Sequence, residues 1–138
     1  MSGWEQYRRR HRLVVAVADD VSRHGVDSLD SWRAAIDVEF GDLGAFLQDV
    51  QRHWHTAVDA HLDGLLETAP SSRPVGYGSV AAVLATAARA NPQLVAVLDE
   101  YVDHPALTGG RQRLRRTLLA ATGVDIGASV RDVPAEVG

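Results

Sequence analysis

Six histidines and no cysteine set the chemistry this chain can attempt, and His11 and His61 are the two ionisable residues that fall within apolar stripes at helical spacing. An imidazole held there must satisfy one donor and one acceptor. Desolvation keeps it neutral, which is also the state a metal or haem ligand requires. Trp4, Tyr7, Trp32, Trp54 and Tyr101 supply the aromatic surface that would line an apolar pocket around the pair. For metal ligation, His53 and Asp49 join His11 and His61 as candidate donors, because Asp49 lies one helical turn before His53. The commoner role for a core histidine is structural, bonded to a tyrosine hydroxyl such as that of Tyr7 or Tyr101, or to a backbone carbonyl.

Dedicated catalytic and metal patterns are missing. His53 and His55 flank Trp54, and residues two apart on a helix point to opposite sides, so they cannot share a metal. None of the five glutamates has a histidine three residues later, which removes the di-iron carboxylate pattern. There is no His-x-x-x-His, no His-Glu-x-x-His and no Gly-x-Ser-x-Gly elbow. Asp20 with His24 and Glu100 with His104 repeat the four-residue spacing of Asp49 with His53, a pattern usual on solvated helix faces. No cofactor is implied, and a non-catalytic protein is expected.

Gly76-Tyr77-Gly78-Ser79-Val80-Ala81 matches the glycine-rich dinucleotide fingerprint in letters, but no strand run precedes or follows it. What survives is an anion site at a helix start, built from Arg73 and the backbone around Gly78 and Ser79, with an ordinary turn as the plainer alternative. Arg8, Arg9, Arg10 and Arg12 form one basic segment, and Arg111, Arg113, Arg115 and Arg116 another; if adjacent they would make a basic patch. The chain as a whole is acidic and shows no nucleic-acid-binding module, so nucleic acid is not the expected partner.

The elements that must position these groups are helices. Trp4, Tyr7, His11, Val14, Ala18, Val21 and Gly25 alternate steps of three and four, as do Leu43, Leu47, Val50, Trp54, Ala57, His61 and Leu65, and then Val80, Leu84, Ala87, Asn91, Leu94, Leu98 and Tyr101. Three stripes that need one another for burial predict an all-α, single-domain bundle of about four to six helices. The spacing predicts a first helix from Trp4 to His24 and a segment from about Leu29 to Phe40 capped by Asp27, Asp30 or Ser28. A break at Gly41–Gly44 and a long helix over 43–67 follow. The proline- and glycine-rich residues 68–78 read as the principal loop, with Ser79 as the next cap. Pro92 should kink or split the following helix near residue 91, where Asn91 would cap the second half. Thr108 to Thr122 reads as the last helix, stopped by Gly123. Residues 1–123 form the bundle domain, and 124–138 a tail packed in part through Val124, Ile126, Val130 and Val133.

Composition narrows the classes further. The chain has 138 residues, enough for one domain with a core that needs no staples. Arginine occurs fourteen times and lysine never, as expected of a high-G+C bacterial coding sequence. Without cysteine there are no disulfides or thiolate sites. Residues 1–12 carry +3, 13–106 carry −9, 107–120 carry +4 and 121–138 carry −2. No secretory pattern opens the chain and no apolar run approaches the ~20 residues of a membrane span, so the reading is cytoplasmic and not membrane-bound.

The expectation is a helical bundle that binds a partner protein or a small, mostly apolar or anionic ligand, with a homodimer as one form the partner could take. The alternatives are a metal- or haem-binding protein using the buried histidines, and an arginine-mediated nucleic-acid-binding regulator.

Overall fold

The computed structural model describes residues 3–68 and 76–126. Among these residues there are six α-helices and no strand: α1 (Gly3–His24), α2 (Arg33–Phe40), α3 (Leu43–Thr68), α4 (Tyr77–Ala90), α5 (Pro92–Glu100) and α6 (Thr108–Thr122), with 3₁₀ turns over Val26–Trp32 and Pro105–Leu107. The chain is an all-α bundle. Val130 and Val133 of the tail, and Arg73 of the expected anion site, lie outside the described residues.

α3 is the spine, because its apolar residues serve two cores in succession. Phe46, Leu47 and Val50 in its first half pack with Val14, Val17, Ala18 and Val21 of α1, with Leu29, Ile36 and Phe40, and with Leu94 and Val97 of α5. Val58 and Leu62 in its second half pack with Val80, Val83 and Ala87 of α4, Leu118 of α6 and Ile126. The third expected stripe is therefore real but divided. A proline cannot continue the helix, so the chain turns at Asn91 and the axes of α4 and α5 diverge by 100°. Val80 and Ala87 then face one core and Leu94 the other. No single helix among the described residues is long and apolar enough to cross a membrane.

The break at Gly41 is present. Its φ of 91° is one that side chains with a Cβ rarely adopt, and its N–H donates to Asp37 O, closing α2. The Asp42 side chain then accepts from the Ala45 N–H at 2.8 Å and starts α3. Gly123, at φ 77°, closes α6 in the same manner. Three expected caps are corrected. The segment after α1 begins as a 3₁₀ turn behind Gly25, and α2 starts at Arg33 behind Trp32 without a side-chain cap, so Asp27, Ser28 and Asp30 do not cap it; Ser28 instead donates to Gly25 O. α4 is preceded by Gly76, which places Ser79 inside the helix. Asn91 precedes α5, but its side-chain amide donates backwards to Ala87 O at 2.9 Å, satisfying the end of α4.

The N-terminal half of α1 is clasped to the end of α2. Arg9 reaches Glu39 at 2.8 Å, Arg10 donates to the Glu39 carbonyl at 3.2 Å, and the Arg10 guanidinium lies 4.9 Å from the Phe40 ring centre. This clasp holds the first turns of α1 beside the bundle while leaving one of their faces uncovered.

Candidate functional site

The uncovered face of α1 borders an open groove of about 500 Å³. Tyr7, His11, Val14, Val15, Ala18, Asp19 and Ser22 form one wall, His53 and Thr56 of α3 another, and Asn91, Gln93 and Leu94 close the third side at the α4–α5 corner. The α1 wall spans fifteen helical steps from Tyr7 to Ser22, about 22 Å at the ~1.5 Å helical rise. Its floor is apolar, from Val14, Ala18 and Leu94, and its rim is polar. Rings continue past its end: Trp4 stacks on Tyr7 with centroids 5.7 Å apart, Tyr7 on His11 at 6.2 Å, and His11 on His53 at 5.0 Å.

This arrangement corrects the expected pocket. His11 is exposed, and so are Trp4 and Tyr7, at 65% and 60%. The register of the α1 stripe is right, since Val14, Ala18 and Val21 on the same line are buried, but the stripe residues of its first turns, Trp4, Tyr7 and His11, stay exposed. Periodicity identifies a face without saying whether anything covers it. His61 is only half-buried, and its Nδ1 donates to Ala57 O at 2.9 Å, the structural role of a helix-bonded imidazole. The burial in α3 runs through Phe46, Leu47, Val50, Gln51, Val58 and Leu62, a line displaced from the one expected.

The other aromatics disperse. Trp32 donates its indole N–H to Asp20 at 2.8 Å, and this bond, followed by that from His24, holds the Asp20 carboxyl below its ordinary pKa. Trp54 packs on the α4–α6 core, and Tyr101 on the α1–α5 core, where burial raises its pKa. Of the seven residues expected to line one pocket, three lie together, and His53 is the partner they find.

Neither the metal nor the nucleic-acid arrangement assembles. Among the described residues no three His, Asp or Glu side chains converge on a point that could hold a metal ion. The His11 and His53 rings stack with planes 27° apart, so their in-plane lone pairs run side by side instead of meeting. Asp49 lies 3.9 Å from His53, and Arg52 also pairs with it. The two arginine segments belong to different parts of the fold, α1 packing in the first core and α6 in the second. Several of their charges are engaged: Arg9 and Arg10 on Glu39, Arg111 on Val102 O, and Arg115 on Asp125 at 2.6 Å. At the start of α4, the Ser79 N–H donates to Gly76 O at 3.1 Å, so that amide is not offered to an anion; Gly78 is exposed beside it.

Burial pushes the pKa of His53 down from its ordinary 6.5, with His11 and Arg52 adding to the effect and Asp49 opposing it. His55, on the other side of Trp54, is pushed down for the same first reason, helped by Arg113 and opposed by Asp59. Both histidines bind protons more readily in the unfolded chain. Stability is therefore full above about pH 6.5 and is lost as the pH falls through that value towards the depressed folded pKa values. Urea titrations across this range should give a flat plateau at higher pH and a decline below it. A His53→Gln, His55→Gln double variant should flatten the decline, and an unchanged pH dependence in that variant would contradict the assignment.

No family model, curated protein or solved structure matches this chain. The sequence missed Val15, Asp19, Ser22, Thr56, Asn91 and Gln93 as groove residues. Their only common signal is position, one step around α1 from the buried line or beside the Pro92 corner.

Proposed function

We propose that this chain is a non-catalytic protein-interaction module whose α1 groove receives an amphipathic helix of a partner. The observation that carries this reading is the exposure of Trp4, Tyr7 and Val15, the last at 51%, in line along one helix beside an open groove. Large aromatic side chains dominate binding energy at protein interfaces. A length of about 22 Å suits four turns of helix, whose side chains at every third and fourth position would meet Val14, Ala18 and Leu94 in succession. A small, mostly apolar ligand is the second reading, supported by the groove volume of about 500 Å³. The carboxylate of Asp19 on the groove wall argues against an anion there.

A photoreactive benzophenone amino acid placed at Val15 tests the reading in living cells, with Val38, 89% exposed on α2, as the control position. Position 15 should give a covalent product with a polypeptide identified by its tryptic masses and rebuilt from purified components. That product should disappear when Trp4 and Tyr7 are both changed to alanine. Products from position 15 no more abundant than those from position 38 would contradict the proposal.

A further inference from the structure

Resting on that reading of the groove, we infer that its occupant is a second copy of this chain, with the two α1 helices packed antiparallel about a two-fold axis near residue 13. α1 carries Trp4, Arg8, His11, Val15 and Ser22 exposed, and Ala18 buried at the groove floor, at steps of four and three, the spacing of a two-helix seam. In an antiparallel pair centred there, Trp4 lies opposite Ser22 of the other copy, Tyr7 opposite Asp19, Arg8 opposite Ala18, and His11 opposite Val15. Trp4 and Arg8 thus meet small residues, Tyr7 an acidic one and His11 an apolar one, so one surface complements itself, as an isologous two-fold contact requires.

Charge selects the direction. The first half of α1 is basic, with Arg8 and Arg12 exposed on the outer side, while the second half presents Asp19 on the groove rim. Antiparallel pairing brings Arg8 within one residue of Asp19 of the other copy twice, once on each side of the axis, and aligns opposed helix dipoles. A parallel pair would place Arg8 beside Arg8 and Asp19 beside Asp19. Asp19 already has Arg23 at 3.4 Å on the same helix, an exposed pair that is weak and can be shared with a second guanidinium. Thr56, Asn91 and Gln93 on the far rim offer hydroxyl and amide groups to the flank of the incoming helix.

Sedimentation velocity and native mass spectrometry of the purified full chain test this directly. The expected species has twice the 14.9 kDa chain mass. Val15→Arg, at a position exposed within one chain, should keep the melting curve of the folded monomer while weakening association about 100-fold. Arg8→Asp and Asp19→Arg should each weaken association, and the two together in one chain should restore it, because the swapped charges again face each other in the antiparallel register. A wild-type chain that sediments at 14.9 kDa at every concentration overturns the inference, as does a Val15→Arg chain that remains dimeric. A double swap that fails to restore what the single changes remove overturns the antiparallel register. Crosslinks from position 15 to a different polypeptide overturn the second copy while leaving the helix-binding groove standing. Crosslinks to no polypeptide remove both.

Discussion

Phe46→Ala should destabilise the folded chain by about 3–5 kcal/mol, the range for removing a fully buried aromatic ring. Phe46 is completely buried, meets Phe40 edge-on with centroids 5.6 Å apart, and sits where α1, α2 and α5 converge on α3. Alanine would leave a cavity that the surrounding Leu29, Ile36 and Leu47 can fill only in part, and would forfeit the ring pair, worth about 0.5–1.5 kcal/mol beyond its area. Chemical denaturation followed by circular dichroism measures this loss. A change under about 1 kcal/mol would mean that the first core is not packed around this side chain.

Gly110→Ala should cost about 1–3 kcal/mol, as overfilling a packed site does. Gln51 is the one buried polar side chain among the described residues, 6% exposed, and its Nε2 donates to Leu107 O at 3.0 Å. Gly110 passes so close that an added Cβ would overlap the Gln51 amide, which must then leave its carbonyl partner. This contact fastens the start of α6 to the spine, between the two cores. The cost should shrink in a Gln51→Ala background, because the space is then open, although Gln51→Ala alone leaves the Leu107 carbonyl without its donor. A double-mutant cycle reads the coupling; additive effects would show that the two residues do not touch.

The bundle was legible in the sequence because its helices are long and strongly patterned. α1 and α6 end where Gly25 and Gly123 predict, α3 starts at Leu43, and Pro92 opens α5. The caps were less legible, because the side chains of Ser28 and Asn91 each have a local backbone partner that competes with the capping role, and α4 begins behind Gly76, three residues before Ser79. Burial was legible only as a face. Val14, Ala18 and Val21 share a line with Trp4, Tyr7 and His11, and nothing in that line distinguishes the covered end from the open one. Of the seven residues expected to line a pocket, Tyr7 and His11 lie on the groove, whereas His61, Trp32, Trp54 and Tyr101 lie apart from it. Neither the meeting of His11 with His53 nor the contribution of Asn91 and Gln93 follows from spacing. Both depend on how α1 crosses α3 and on the 100° turn between α4 and α5.

The outer face of α1 as a covered interface is tested most directly by fluorine NMR of the chain labelled with 5-fluorotryptophan, whose three resonances are assigned by changing Trp4, Trp32 and Trp54 singly to phenylalanine. With rising protein concentration the Trp4 signal should shift and lose its sensitivity to solvent deuterium, while those of Trp32 and Trp54, fixed within one chain, stay in place. A Trp4 signal that remains solvent-exposed at every concentration, with the same shift in wild-type and Val15→Arg proteins, would contradict the account.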